Sequence, residues 1–228
     1  MWILAVDDEP STLAVIDRAL AGQGLEVRSS ASGQDALDRI RKEGLPHLAV
    51  IDLLMPGMTG IELCSAIKSF SDVPLIILTA VGTKDTLIDA IERFAEDYIV
   101  KPFDPRELAA RVVRVLRRIG DFSYASEPLV KIDERLSVDF AGQRAIVDGA
   151  TVKLTPTEAK LLYLLMRSAP RPVATTFLLQ RLWPGEEVFE DTLRVHVHRL
   201  RQKIEPEGSG HRYVVTERGA GYAFRTSA

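Results

Sequence analysis

The 228-residue sequence has few features that would place it in a membrane or an oxidising compartment. Cys64 is the only cysteine, so an internal disulfide is excluded and a reducing compartment is expected. The N-terminus has no basic stretch, and Asp7 interrupts its apolar run after six residues, which argues against a signal peptide. No apolar run approaches the roughly 20 residues that span a bilayer. We therefore expect a soluble, cytoplasmic protein without a membrane partner.

A strong charge of one sign is also missing. The net charge is −3, with 14 Lys and Arg against 18 Asp and Glu in residues 1–120, and 15 against 14 in residues 121–228. This balance excludes the overall basic character that is typical of strong nucleic-acid binders. Positive charge is concentrated locally instead, because residues 192–204 contain three Arg, one Lys and two His but no acid. Any nucleic-acid contact is therefore expected in this short segment.

Residues 1–120 alternate apolar strands with amphipathic helices. Three of the strands are almost wholly apolar, as is typical of strands that are covered on both faces. Five strands alternating with five helices predict a doubly wound α/β domain with a five-stranded parallel sheet of the flavodoxin-like type. The predicted strands are 2–6, 26–29, 48–51, 75–78 and 98–100.

A linker is predicted at residues 121–127, and the pattern changes after it. The strand-like segments are 129–132, 136–140, 144–148 and 151–154. Helices are predicted from the Thr155 cap to residue 168, over 175–182 and over 190–204, and a hairpin pairs 213–216 with 222–225. These elements predict an α+β winged helix-turn-helix domain over residues 128–228.

Five polar residues directly follow predicted strands in the first domain. Because the carboxyl ends of parallel strands form one edge of the sheet, their side chains are expected to converge there. The five residues are Asp7, Asp8, Asp52, Thr79 and Lys101.

Carboxylates gathered at one edge repel each other unless a cation lies among them, and Mg²⁺ prefers oxygen ligands. We expect Asp8 and Asp52 to bind Mg²⁺ directly, Asp7 to bind it through water, and the Leu54 carbonyl to complete the protein ligands. A carboxylate beside such an ion can attack a phosphoryl group and form an acyl phosphate.

The charge that develops on a transferred phosphoryl group requires positive and hydrogen-bonding partners. Lys101 supplies the positive charge, and the Thr79 hydroxyl supplies the hydrogen bond.

The predicted helix over 190–204 combines an apolar face with a neighbouring cationic one. Leu193, Val197, Leu200 and Ile204 share the apolar face. Arginines on such a helix can read guanine in a major groove, and peripheral cations can bind phosphates. A further arginine at the hairpin tip can enter a minor groove. The predicted DNA contacts are Arg194, His198, Arg199, Arg201 and Lys203 on the helix and Arg218 at the tip.

Four motifs in residues 1–119 resemble the receiver domain of bacterial response regulators. They are Asp7-Asp8-Glu9, the segment 52–60, Leu78-Thr79-Ala80 and the segment 97–103. The resemblance implies that Asp52 is the phosphoacceptor of a sensor histidine kinase. It also implies that Thr79 and Tyr98 form a switch pair, and that the Lys101–Pro102 bond is cis.

The second domain resembles the winged-helix effector of the OmpR/PhoB subfamily. The motifs are the segments 154–158, 182–183, 195–203 and 218–222. The resemblance implies a transcription factor that binds double-stranded promoter DNA as a homodimer after phosphorylation, with RNA polymerase as a further partner. It places the dimer interface on the fourth helix, fifth strand and fifth helix of the receiver. The implied dimer residues are Asp97, Arg111, Arg114 and Arg118.

The sequence departs from the subfamily pattern at four positions. Asp191 stands where many members have Arg, and Arg194 where they commonly have an acid, so the DNA sequence read is expected to be atypical. On the receiver, Leu87 replaces a frequent basic residue that pairs with the acid at Glu107, and Phe94 replaces a usual Gly. These two changes alter the usual dimer face.

Two other functions fit parts of the pattern. A phosphatase or dehalogenase-like enzyme would also use an Asp nucleophile, but such enzymes resemble a pattern with a second acid two residues later, and position 54 is Leu. A constitutive DNA-binding dimer would need no phosphate, although the complete acidic set argues against it. We expect a regulator that catalyses only its own phosphorylation and dephosphorylation, rather than an enzyme.

Overall fold

The computed structural model describes the backbone of residues 1–80, 94–119, 128–205 and 212–226, and their side chains except those of 118 and 119. The chain divides into two compact units. The first contains Met1–Lys68 and Val73–Pro128, and the second contains Ser69–Asp72 and Leu129–Ala228. The predicted linker, 121–127, lies outside the described residues.

The first unit contains a parallel five-stranded sheet in the order β2-β1-β3-β4-β5. The strands are β1 (Trp2–Val6), β2 (Glu26–Ser30), β3 (Leu48–Asp52), β4 (Leu75–Ala80) and β5 (Asp97–Lys101). All of β1 and β3 and most of β4 are buried. The predicted doubly wound sheet is therefore confirmed.

Four described helices accompany this sheet. They are α1 (Pro10–Ala21), α2 (Gly33–Glu43), α3 (Gly60–Phe70) and α4 (Pro105–Ile119). Ile16 of α1 and Val112 of α4 are fully buried in one core cluster with Ile3 and Ala5 of β1. The helix expected between β4 and β5 falls largely on residues 81–93, which lie outside the described part of the chain, as does the expected contribution of Leu87.

The predicted strands ended too early at the edge where the polar residues lie. Asp52 and Lys101 are the last residues of β3 and β5, and Thr79 lies within β4. Their backbones still pair with the neighbouring strand, since Asp52 is opposite Leu78 and Thr79 is opposite Val100. The apolar pattern stops before the strand does, because a polar side chain at the sheet edge does not interrupt the backbone ladder.

The second unit begins with an antiparallel four-stranded sheet in the order β6-β7-β8-β9. Its strands are β6 (Val130–Lys131), β7 (Leu136–Asp139), β8 (Arg144–Val147) and β9 (Ala150–Lys153). Asp148 and Gly149 between β8 and β9 have φ of 49° and 82°. Positive φ at two consecutive positions suits the tight turn of a hairpin.

Three helices and a hairpin follow. The elements are α5 (Pro156–Ser168), α6 (Thr175–Leu182), α7 (Glu190–Ile204), β10 (Val214–Glu217) and β11 (Gly221–Phe224). The side chains of Leu193, Val197, Leu200 and Ile204 on α7 are buried, as predicted. The winged helix-turn-helix arrangement is therefore confirmed, with the hairpin as its wing.

The wing is attached to the segment before α6. Val173 and Tyr222 exchange backbone hydrogen bonds of 2.7 and 3.0 Å. Gly221 beside them has a φ of 116°, and a Cβ there would lie 2.0 Å from the Val173 oxygen. Only glycine fits this junction, which fixes the wing close to the helical part of the domain.

Candidate functional site: an acidic pocket and an exposed helix

The acidic pocket lies at the carboxyl edge of the parallel sheet. Asp7 and Asp8 directly follow β1, Asp52 ends β3, and the three side chains have oxygen atoms within 4.8 Å of one another. Asp7 and Asp52 are 0% and 5% exposed, whereas Asp8 is exposed. The convergence predicted from the strand ends is therefore present, with one side of the pocket open to solvent.

Lys101 connects the two buried acids. Its Nζ lies 2.7 Å from Oδ2 of Asp7 and 3.1 Å from Oδ2 of Asp52. Asp7 also accepts a 2.9 Å hydrogen bond from the Glu9 amide. A single ammonium thus offsets two carboxylates, which leaves the pocket with a negative balance.

Burial and charge act in opposite directions on these groups. Burial raises the pKa of Asp52 above its usual value, although the hydrogen bond from Lys101 opposes this. Burial alone would lower the pKa of Lys101, but its hydrogen bonds to Asp7 and Asp52 outweigh burial and raise it. Lys101 is therefore held as a cation beside a carboxylate that is costly to ionise.

Oxygen donors of this kind suit a small hard cation such as Mg²⁺. The acids that fit this role are Asp7, Asp8 and Asp52, and the exposed Leu54 lies beyond the end of β3. When bound, such an ion would offset the negative balance of the pocket and polarise a phosphoryl oxygen.

A cleft of about 390 Å³ opens next to the pocket. It is lined by Glu9, Ser11, Thr12, Val15, Lys101, Pro102 and Phe103.

The two residues of the expected switch pair differ in exposure. The Thr79 side chain is buried, and its hydroxyl donates a 3.3 Å hydrogen bond to the Ala80 carbonyl. Tyr98 on the neighbouring strand is 51% exposed, so its ring lies largely in solvent. The Lys101–Pro102 peptide bond is cis, as predicted.

Gly60 contributes to the pocket in a way that the sequence pattern did not reveal. It begins α3, and a Cβ at this position would lie 2.1 Å from the Asp52 carbonyl oxygen. Its amide also donates a 3.1 Å hydrogen bond to the Leu53 carbonyl. The absence of a side chain therefore lets α3 start directly against the strand that carries Asp52.

The predicted DNA-binding residues of α7 fall into two groups. Arg194, His198 and Arg199 are exposed. Arg201 and Lys203 are partly buried and make hydrogen bonds inside the domain. Arg218 is exposed at the tip of the wing.

Arg201 ties α7 to the wing. Its guanidinium donates to the Val214 carbonyl at 2.8 Å and to the Thr216 hydroxyl at 2.9 Å. At the end of the same helix, the Glu205 carboxylate accepts a 2.6 Å hydrogen bond from the Val214 amide. The last turn of α7 therefore fixes the wing against the helix.

Lys203 ties α7 to α5. Its Nζ lies 2.6 Å from Oε2 of Glu158, which is 1% exposed, and donates to the Lys153 carbonyl at 3.0 Å. Glu158 also forms a capping box with Thr155, the predicted cap of α5. Burial would raise the pKa of Glu158, but the hydrogen bonds from Lys203 and the Thr155 amide outweigh it and lower the pKa.

Three of the residues expected at a dimer interface, Asp97, Arg111 and Arg114, pair with one another within the chain. Arg111 and Arg114 donate to the Asp97 carboxylate at distances of 2.9 and 2.6 Å, and Arg111 also donates to Glu107 at 2.7 Å. The side chain of Arg118 lies outside the described residues.

Among the described residues, no helix has the length and apolar character needed to cross a membrane.

These features define a protein that combines a receiver-type acidic pocket with a DNA-binding type of winged helix. The family described as "Response regulator receiver domain" matches residues 3–113, and that described as "Transcriptional regulatory protein, C terminal" matches residues 149–224. The chain therefore belongs to the two-component response regulators of the OmpR/PhoB type. It is a DNA-binding transcriptional regulator rather than a typical catalytic enzyme.

Named relatives are similar over nearly the whole chain. A "Probable transcriptional regulator ycf27" of Galdieria sulphuraria is 35% identical, over 98% of this chain and 89% of the relative. The "Transcriptional regulatory protein KdpE" of Mycobacterium tuberculosis (strain ATCC 25618 / H37Rv) is 34% identical, over 97% and 98%. The solved structure of response regulator DrrB, a Thermotoga maritima OmpR/PhoB homologue, is 29% identical over 99% of both chains, with a TM-score of 0.47.

Proposed function

We propose that Asp52 accepts a phosphoryl group from a sensor histidine kinase, and that this modification controls DNA binding by the winged helix. The observation that carries the proposal is the 3.1 Å contact between Lys101 and the buried Asp52 carboxylate, beside two further acids. A carboxylate with a cation on one side and an open pocket on the other can act as a nucleophile. Lys101 offsets charge on the transferred group.

Mg²⁺ is the proposed cofactor of this step. Asp8 and Asp52 would bind the ion directly, Asp7 through water, and the Leu54 carbonyl would add a ligand. Three acids share the pocket with one lysine, so a divalent cation offsets the remaining repulsion. The reaction is confined to the protein itself, namely phosphorylation and dephosphorylation of Asp52.

The proposed switch uses Thr79 and Tyr98. A phosphoryl group adds about −1.5 to −2 charges and three acceptor oxygens. The buried Thr79 hydroxyl lies in the strand next to Asp52 and can exchange the Ala80 carbonyl for one of these oxygens. The exposed Tyr98 ring then moves into the space that Thr79 leaves. In this way a local change in charge at Asp52 alters the protein surface around Tyr98.

The surface that changes is proposed to form a homodimer. It includes Asp97, Arg111, Arg114 and Arg118. In the single chain Asp97 already accepts hydrogen bonds from Arg111 and Arg114, so a dimer requires these pairs to be shared with or exchanged for partners on the second copy. Pairing would place two winged helices on neighbouring promoter half-sites, with RNA polymerase as a further partner.

The test is selection of DNA sites from randomised duplexes, with and without beryllofluoride and Mg²⁺ as a phosphate mimic. Wild type is expected to select paired half-sites in the presence of the mimic and to shift from monomer to dimer. Asp52→Ala is expected to show neither response. Asp38→Ala is the matched control, because Asp38 is an exposed acid of α2 whose carboxylate contacts Arg41.

Two outcomes would contradict the proposal. Equal DNA affinity of wild type and Asp52→Ala under all conditions would indicate a constitutive DNA-binding module. Sustained hydrolysis of small phosphoesters by wild type would indicate an enzyme instead of a switch.

A further inference from the structure

The cations of α7 are not equivalent. Arg201 and Lys203 use their side chains to hold the wing and α5, with contacts of 2.8 and 2.6 Å inside the domain. Arg194, His198 and Arg199 are exposed on the earlier part of the helix. The outward-facing cations of α7 therefore all lie before Arg201.

Arg194 differs from the other exposed cations because two acids contact it. Its NH1 lies 3.2 Å from Oδ1 of Asp191, and its NH2 lies 3.5 Å from Oε2 of Glu190. All three side chains are well exposed, with 64% for Arg194, 88% for Asp191 and 59% for Glu190. These contacts join residues three and four positions apart on the first turn of the helix.

Stability does not explain this arrangement well. Exposed ion pairs contribute roughly 0.2–1 kcal/mol, and salt weakens them further. Neighbouring acids would weaken the binding of an arginine to backbone phosphates, because they repel the phosphates and reduce the local positive potential.

Preorganisation of Arg194 for contact with a DNA base explains why two acids lie beside it. A carboxylate that binds a guanidinium limits the rotamers of the arginine, and the five N–H groups of Arg194 leave donors available beside the one that binds Asp191. Bidentate contact with guanine O6 and N7 needs a planar guanidinium in one orientation. The acid also makes it unfavourable for the arginine to bind a phosphate instead of a base. The pair therefore favours sequence-specific binding over affinity for any duplex.

We propose, on the basis of the DNA-binding function above, that Asp191 is a positioning residue that orients Arg194 towards a guanine in the major groove. Glu190 supports the same orientation from the preceding position. Arg194 touches the base, and Asp191 acts through Arg194. The pair sets sequence preference, whereas the exposed Arg199 supplies a contact with the DNA backbone.

Asp191 also lies at the N-terminus of α7, where an acid interacts favourably with the helix dipole. That role predicts a small loss of stability when Asp191 is replaced, without a change in which base is preferred. Base preference therefore separates positioning from a purely structural role.

The experiment compares base preferences, position by position, for the full chain activated with beryllofluoride and Mg²⁺. The variants are Asp191→Ala, Asp191→Asn and Arg194→Ala. The matched control is Glu187→Ala, which removes an exposed acid from the loop before α7. Circular dichroism on each variant checks that the domain stays folded.

Arg194→Ala is expected to lose preference for guanine at one position by roughly tenfold. Asp191→Ala is expected to lose most of the preference at that same position while its affinity for random duplex increases, because a repulsive acid is gone. Asp191→Asn, which keeps an acceptor oxygen, is expected to retain part of the preference. Glu187→Ala is expected to leave the preference at every position unchanged.

Different results would contradict the positioning role of Asp191 and the DNA-binding function itself. If wild type selects a site but Asp191→Ala keeps its full base preference, the positioning role is wrong. The same conclusion follows if Asp191→Ala and Arg194→Ala lose preference at different positions. If wild type binds every duplex equally, the proposed function itself is wrong and the positioning role falls with it.

Discussion

The Nζ atom of Lys101 lies 3.1 Å from Oδ2 of Asp52, although the two residues come from strands that are not adjacent in the sheet. The strand between them, β4, carries Thr79 at the same edge. One ammonium, one carboxylate and one hydroxyl are thus held at the same edge by three strands of the sheet. Small changes in the backbone at this edge are therefore expected to alter the pocket.

Gly60 is the clearest case of that sensitivity. Gly60→Ala is expected to reduce the free energy of unfolding by about 2–3 kcal/mol, because its Cβ would collide with backbone atoms of Asp52 and Leu53. Urea unfolding measures the loss. Gly22→Ala is the control, since its Cβ would meet only ordinary contacts of 3.6 Å and more. Equal stability of the two variants would show that α3 is not held closely against β3.

Asp52→Asn is expected to make the metal-free protein more stable at neutral pH, by about 1 kcal/mol. Burial raises the pKa of Asp52, so the ionised carboxylate is less favourable in the folded chain than in the unfolded chain. Mg²⁺ should stabilise wild type by binding the folded state, and should stabilise Asp52→Asn much less. Thermal unfolding with and without Mg²⁺ tests both statements. A metal-free Asp52→Asn variant that is less stable than wild type would contradict the first statement, and equal stabilisation of both proteins by Mg²⁺ would contradict the second.

Lys203 is expected to matter more for folding than for DNA affinity. Lys203→Met leaves the buried Glu158 without its ammonium partner and should reduce the free energy of unfolding by about 3 kcal/mol. Arg199→Met on the exposed face should change stability little, and should weaken DNA binding with a smaller salt dependence. Denaturant unfolding and DNA titrations at several salt concentrations distinguish the two. The reverse pattern would contradict the structural role of Lys203.

His196 is expected to make the effector domain less stable in mild acid. Its ring lies 5.2 Å from that of Trp183, and burial, together with the charge of Arg199, lowers its pKa below 6.5. The unfolded chain therefore takes up the proton first, and stability is lost as the pH falls from 6.5 through the lower pKa of the folded state.

Chemical unfolding between about pH 7 and about pH 5.5 measures this loss. His196→Phe should flatten the dependence, whereas His198→Phe, on the exposed face, should not. An unchanged pH dependence in His196→Phe would assign the acid sensitivity to other groups.

The sequence was most informative where a local pattern decides the structure. The spacing of Leu193, Val197, Leu200 and Ile204 predicted α7 with its observed bounds, because a helix must bury one stripe. The acidic pocket was also predictable, since parallel strands place their carboxyl ends at one edge.

Side-chain contacts between residues that are far apart in the sequence could not be predicted from such patterns. The contact of Lys203 with Glu158 joins residues 45 positions apart, and that of Arg114 with Asp97 joins residues 17 apart. The helical pattern placed Lys203 and Arg201 on a cationic face, but it could not show that both side chains also make hydrogen bonds within the domain. The tight approach of Gly60 to Asp52 depends on tertiary packing in the same way.

The most direct test of phosphorylation at Asp52 is the intact mass of the purified chain after incubation with acetyl phosphate and Mg²⁺. We expect one phosphoryl adduct that is lost on treatment with hydroxylamine, that fails to form without Mg²⁺, and that is absent from Asp52→Ala. An unmodified mass for wild type, or an identical adduct on Asp52→Ala, would contradict the assignment of Asp52 as the phosphoacceptor.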